Sequence, residues 1–337
     1  MSHACRLAFL TILLLSGAVP LASAQAPHES VGTRALGMAG AFVAVADDAS
    51  ATYWNPAGLP GIRVFDATFG VARDTDGDDG PALESGGWRS DSAQIAVATP
   101  VLGFSYQWLR LATVSRGGGG EGLTLSLPGR VLRVRSVGVT VVQSVTDALV
   151  VGTTLRLLRA GAAPGPVEAA AGIDDALRRT AQLDASSSSH FDADIGALAW
   201  IGRLRLGLVV RHATSPEVDF AGDTLEIERQ VRAGLSFGGE PARGQRAWAV
   251  AADADLTTIA LPDGRRRSLA IGGERWWADR RWALRAGARV QTIDEARPAV
   301  SGGASVALRT GLLIEAHGTR GGDARDRGWG AGVRLTF

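Results

Sequence analysis

Beyond residue 60 the chain alternates apolar and polar positions with a period of two. In 148–159, Leu149, Val151, Thr153, Leu155 and Leu157 share one face, while Gly152, Thr154 and Arg156 share the other. In 203–211, Leu204, Leu206, Leu208 and Val210 oppose Arg203, Arg205, Gly207 and Arg211. Residues 283–291 sort the same way, with Leu284, Ala286, Ala288 and Val290 against Arg285, Gly287, Arg289 and Gln291. Successive side chains alternate between the two faces of an extended backbone, so these runs predict strands and exclude helices. Fourteen are predicted, near 63–73, 90–99, 102–114, 134–144, 148–159, 190–200, 203–213, 228–237, 245–256, 267–277, 281–291, 299–308, 311–319 and 329–337.

Most of these runs have 9 to 12 residues. That exceeds the roughly 5–6 of a globular sheet and matches the roughly 10 of a tilted strand crossing a bilayer. The connections alternate between short turns (near Pro100, 145–147, Gly202, 278–280 and 309–310) and long polar stretches such as 115–133 and 160–189. An even strand number with short turns at one end and long loops at the other is the pattern of an outer-membrane barrel. The expected fold is therefore all-β, a transmembrane β-barrel of about 14 antiparallel strands over residues 62–337, apolar outside and polar within. Trp200, Trp248, Trp276 and Trp282 sit near predicted strand ends and are expected to form an interfacial aromatic belt. The last run alternates from Trp329 to Phe337, which is read as the assembly signal recognised by the barrel-assembly machinery.

Glycine takes 44 of 337 positions, about twice its usual share, which disfavours long helices. With 35 basic against 34 acidic side chains the net charge is +1, which removes the electrostatic footprint of a nucleic-acid binder. Residues 1–24 read as an export signal: Arg6, the apolar run Leu7 to Leu15, and the small-residue site Ala22-Ser23-Ala24. The single cysteine, Cys5, lies within that segment, so no disulfide, lipid anchor or thiolate metal site is expected beyond it. Export and barrel patterning together predict the bacterial outer membrane as location and the lipid bilayer as partner.

Residues 25–61 break the strand pattern and are rich in small side chains. A turn is predicted at Ala46 to Ser50 and a stop at Asn55-Pro56, because proline drives the preceding residue out of the helical region. Such a segment could fold back into the barrel lumen as a plug. Gly37 to Gly40, Ala46-Asp47-Asp48-Ala49-Ser50 and Asn55-Pro56-Ala57-Gly58-Leu59, in that order, resemble the N-terminal signature of the FadL-like outer-membrane family. Residues 191–197, followed by 206–211, look most like its PorV/TraF-like branch. The resemblance implies a fourteen-stranded barrel with an N-terminal hatch built on Asp47, Asp48, Ser50, Asn55, Pro56 and Ala57. It implies passive passage of a hydrophobic, fatty-acid-like small molecule. The alternative it leaves open is a PorV-type scaffold or shuttle for a protein-secretion or surface-attachment system, with a secretion-system partner.

With the apolar faces turned to lipid, the lumen holds Arg156, Arg203, Arg205, Arg211, Arg232, Arg285, Arg289 and Arg334. Opposing them are Asp66, Asp192, Asp194, Asp253, Asp255, Glu274 and Glu315. Charges inside a barrel are paired or hydrated, so a mixed ion-pair network is expected, either holding the hatch through Asp47 and Asp48 or simply filling the lumen. The acidic stretch Asp74 to Gly80 departs from a calcium loop, with Asp79 where glycine is needed and Ser85 at the bidentate position, and reads as a solvated loop. Residues 167–183 space Ile173, Leu177 and Ala181 as a short amphipathic helix, either a lid over the barrel or a helix packed on its own loop. Neither Gly-x-Ser-x-Gly nor His-Glu-x-x-His occurs, and His212 and His317 read as structural, so neither enzymatic activity nor a cofactor or metal is expected.

Overall fold

The computed structural model describes residues 30–77, 86–115, 126–168, 172–220, 223–239, 247–261, 264–293, 296–322 and 327–337. The expected export signal lies outside them, as does the end of the acidic stretch after Gly77. Asp74 itself is not in a loop: it sits in the first strand with its side chain buried, accepting from Ser30 Oγ at 2.5 Å.

The strands in chain order are β1 (Asp66–Gly77), β2 (Gly87–Ala98), β3 (Leu102–Val114), β4 (Ser126–Thr146), β5 (Leu149–Glu168), β6 (Ser188–Ile201), β7 (Leu204–Arg211), β8 (Glu217–Phe220) and β9 (Asp223–Glu226). They continue with β10 (Gln230–Gly238), β11 (Trp248–Asp255), β12 (Ile259–Leu261), β13 (Gly264–Arg266), β14 (Ser268–Trp277), β15 (Trp282–Gln291), β16 (Pro298–Arg309), β17 (Leu312–Gly321) and β18 (Arg327–Thr336). β8–β9 and β12–β13 are small separate hairpins, and the other fourteen close into one antiparallel barrel. Closure is made by β1 against β18, in register from Asp66↔Thr336 to Thr75↔Arg327. Closing the sheet leaves no strand edge unpaired, the condition for backbone crossing hydrocarbon.

The faces sort as the period of two requires. Leu155, Leu157, Leu208, Ile271 and Leu284 are exposed on the outer wall, whereas Arg156, Arg205 and Arg285 are buried inside. Among the described residues no helix is long and apolar enough to cross a membrane, so any crossing is made by strands.

Three further expectations need correction. First, β4 and β5 have 21 and 20 residues, so their ladder runs on through segments expected to be loop. Above the barrel wall it is clothed on both faces. On its inner face Leu132, Leu158, Ala160 and Ala162 pack with Leu109, Leu111 and Ile227, which follows the β8–β9 hairpin. On its outer face lies the amphipathic helix, α3 (Ile173–Thr180), whose Ile173, Ala176 and Leu177 pack on Ala112, Val114, Leu127 and Val167. Leu127 pairs with Val167 on the same side of the ladder as the exposed pair Val137↔Leu157, so α3 sits against the outside of the sheet and does not lid the barrel. Second, only Trp248 and Trp282 of the four tryptophans face outward. Trp276 is buried against Ala283 and Leu313, and Trp200 packs inward on Ala57 and Leu198. The outer cluster is completed by Trp277, stacked on Trp282 with ring centroids 4.3 Å apart. Third, Arg203 falls in the exposed Gly202-Arg203 turn between β6 and β7, outside the lumen.

The lumen is filled by the N-terminal segment. It carries α1 (Thr33–Gly37), α2 (Ala51–Trp54) and a 3₁₀ turn over Pro56–Gly61, with almost every residue from Thr33 to Leu59 buried. The wall admits it through inward-facing glycines in mid-strand. A Cβ on Gly152 would stand 2.5 Å from the Pro56 carbonyl carbon, one on Gly207 2.8 Å from the Val43 oxygen, and one on Gly272 2.5 Å from the Met38 oxygen. Gly196 meets Asn55 as closely, and Gly287, the cross-strand partner of Gly272, meets Met38. Part of the glycine excess is thus explained by backbone-to-backbone approach between wall and plug.

Candidate functional site

The plug is fastened mainly by charge. Arg34, on α1, donates from Nη1 to Asp47 at 2.5 Å and to Asp48 at 2.8 Å, and from Nε to Glu274 on β14 at 2.9 Å. Its Nη2 bonds the second Glu274 oxygen, making the pair bidentate. Glu274 also accepts from Arg285, which reaches Glu315, itself accepting from Ser305 at 2.8 Å. On the far side of Asp48, Arg334 of β18 approaches at 3.7 Å while its Nε donates to Asp66 at 2.8 Å. Asp66 in turn accepts from the Ala49 amide. Arg205, on β7, is buried within electrostatic reach of Asp47 and Glu274.

Further contacts complete the seal. Asp253 on β11 accepts from the Phe42 and Val43 amides, both at 2.8 Å. Asn55 donates to the Val43 carbonyl at 3.0 Å and to the Ala197 carbonyl of β6 at 3.1 Å, and its oxygen caps the following turn at Ala57. Ser50 bonds Asp48, holding the turn before α2. Arg211 lies 4.2 Å from the Tyr53 ring centroid and 5.2 Å from that of Trp54. Asn55→Ala is expected to cost about 1–3 kcal/mol, because two buried carbonyls lose their donor. A lowered thermal unfolding temperature of the purified barrel would register it, and an unchanged one would contradict it.

The expected luminal residues therefore divide into groups. Glu274, Arg285 and Glu315 form one network beside the plug, with Arg205 within its field, while Asp253 holds the plug backbone at Phe42 and Val43. Arg156, Asp192, Asp194 and Arg211 gather on the opposite wall. There Arg156 pairs with Asp194, and His212 Nδ1 lies 2.6 Å from Asp192, which also accepts from Thr214 at 2.9 Å. Asp192, Asp194 and His212 lie close enough to share a cation, but Arg156, Thr214 and the His212 amide already occupy their oxygens. The donor set fits an ion-pair cluster. Arg289 is half-buried, beside Arg232, Arg266 and Asp253 in a small polar pocket against Gly40 and Trp54. Arg34, the centre of the network, was not among the expected residues. Its signal was present, as the one cation in an otherwise small and apolar plug. At the other terminus, Phe337 contacts Phe65 with ring centroids 6.3 Å apart and closes the first-strand seam through backbone bonds.

Above the plug, on the long-loop side, lies a second pocket floored by Val31 and Tyr53 and walled by Leu109, Val134 and Leu158, with Arg156, His212 and Gln230 at its polar side. Including solvent at its mouth it measures about 540 Å³. Its apolar wall runs without a break into the Leu111–Leu132–Ile227 cluster under the β8–β9 hairpin.

A closed fourteen-stranded barrel with a buried N-terminal plug is the fold of FadL-like outer-membrane barrels, and comparison with solved structures bears this out. A Pseudomonas aeruginosa FadL homologue superposes with a TM-score of 0.62 at 13% identity, covering 93% of this chain and 100% of its own. The CymD monoaromatic hydrocarbon channel gives 0.65 at 14%, covering 91% and 97%. The Ralstonia pickettii toluene transporter TbuX gives 0.60 at 15%, covering 91% and 98%. In sequence, residues 88–255, just under half of the chain, match the family described as "F plasmid transfer operon, TraF, protein". No curated protein matches the sequence.

Proposed function

We propose that the protein is a passive channel of the bacterial outer membrane for hydrophobic small molecules, and that the plug is its gate. The observation that carries this reading is the apolar cluster of Leu109, Leu111, Leu132, Val134, Leu158 and Ile227, whose Leu109, Val134 and Leu158 line a pocket ending on the plug at Val31 and Tyr53. An apolar solute gains roughly 25 cal/mol per Å² of surface removed from water, so such a wall collects it without a charged ligand-recognition group. The similar hydrocarbon channel CymD and toluene transporter TbuX support the same substrate class.

The direct test is uptake of a labelled monoaromatic hydrocarbon or long-chain fatty acid by cells with and without the protein. Uptake that is equal in both would remove the reading. Leu158→Asn is expected to reduce uptake several-fold by wetting the wall, while barrel assembly, followed as heat-modifiable gel mobility, stays intact.

A second reading is a scaffold of a secretion or surface-attachment system. It is supported by the match of residues 88–255 to the TraF family and by the density of buried ion pairs around the plug. It predicts that a deletion strain takes up hydrocarbon normally but retains an exported protein in the periplasm.

A further inference from the structure

Arg320 on β17 and Arg327 on β18 are direct cross-strand partners. Both belong to the outward register that holds Ile314 and Val333, and both are exposed. Like charges placed directly opposite each other weaken an antiparallel pair. Among the described residues neither guanidinium has an ion pair or hydrogen bond to offset this. Next along β18 on the same face is Trp329, 53% exposed, opposite Arg73 of β1. Arg73 is satisfied by Asp91 at 2.6 Å. Further down the same wall come Val71, Val333 and Phe69, all exposed and apolar. The arginine pair therefore stands where the apolar band ends on the long-loop side, one step beyond an outward tryptophan of the kind that marks the headgroup level.

We propose that Arg320 and Arg327 bind a phosphate of an outer-leaflet phosphorylated glycolipid, with Trp329 packed at its sugar–acyl boundary. Two fixed guanidiniums side by side present a fork of donors suited to phosphate oxygens. An anion between them turns a repulsive pair into a bridged one. The proposal rests on the outer-membrane placement, with long loops outward, and is independent of what the lumen carries.

The test uses the full chain purified in detergent and follows lipid binding by native mass spectrometry. Probes are bisphosphorylated lipid A, the same lipid without phosphates, and inorganic phosphate as competitor. The wild type is expected to prefer the phosphorylated lipid by about tenfold or more. The double variant Arg320→Gln, Arg327→Gln is expected to lose that preference, while Arg309→Gln, exposed at the short-turn end, retains it. Arg320→Gln alone is the fallback if the double variant assembles poorly, and it should lose part of the preference. A preference that survives the double substitution, or is missing from the wild type, overturns the proposal. Competition by inorganic phosphate at equimolar concentration would also overturn it, in favour of a soluble anion. None of these outcomes depends on hydrocarbon uptake, so failure of the channel reading would be seen separately.

Discussion

Arg34→Met is expected to unseat the plug and convert a sealed barrel into a leaking one. The substitution keeps the bulk of the side chain and removes only the guanidinium that binds Asp47, Asp48 and Glu274 together. Glu274 retains Arg285, and Asp48 retains Arg334 at 3.7 Å, but Asp47 loses its ion pair. Breaking a buried pair by removing one partner typically costs about 3–5 kcal/mol, because a desolvated charge is left behind. The plug can avoid that cost by moving out to water, while the barrel, held by its own strand ladders, stays closed. Planar-bilayer recordings should therefore show a rise in conductance, and cells should become sensitive to a large antibiotic normally excluded. A variant with wild-type conductance would mean that the backbone bonds made by Asn55 and Asp253 suffice.

Gly272→Val is expected to have a comparable effect by steric means. Its Cβ would begin 2.5 Å from the Met38 oxygen, with Gly287 directly across the ladder pressed on the same residue. Backbone cannot yield there as a flexible side chain would, so the overpacking cost of about 1–3 kcal/mol is a lower figure for this site. Displacement of 38–43 would strip the Phe42 and Val43 amides from Asp253 and expose the plug to protease added from the short-turn side. Gly302→Ala is the control. Gly302 faces outward on β16, and its Cβ would meet nothing closer than the Arg285 carbonyl at 3.8 Å. Equal protease resistance in Gly272→Val and Gly302→Ala would show that the wall does not need its glycines.

The barrel was legible in the sequence because a sheet with one face in hydrocarbon and one in a polar lumen imposes the period of two on nearly every strand. The core of each predicted run lies within an observed strand, from Asp66 in β1 to Thr336 in β18. What was less legible was everything that depends on a neighbour. The extension of β4 and β5 reads as loop because Gly129, Pro164 and Pro166 interrupt the alternation, and its stability comes from α3 on one side and Ile227 on the other. The placement of α3 outside the wall follows from the outer ladder face staying apolar above the barrel at Leu127 and Val167, which periodicity within the helix does not encode. Trp276 and Trp200 sit near strand ends like the outward tryptophans, and only their parity relative to Glu274 and Asp194 separates them.

The site was half legible. Asp47, Asp48 and Asn55 stood out within a motif, and Glu274 and Asp253 within the polar faces. Their assembly around Arg34 joins residues 240 positions apart and has no local signature. The glycine ring did have one: inward-facing glycine recurs in mid-strand at Gly152, Gly196, Gly207, Gly272 and Gly287. Composition alone reads that as a turn-rich chain.

Arg334 gives the molecule an order of events. It belongs to the last strand, yet it holds Asp66 at the start of the first and approaches Asp48 in the segment that precedes both. During synthesis that arginine leaves the ribosome after the plug and the other thirteen barrel strands. A nascent chain thus carries its stopper and thirteen staves before it owns the clasp that joins the two. The final latch of the plug and the completion of the cylinder fall in the same step.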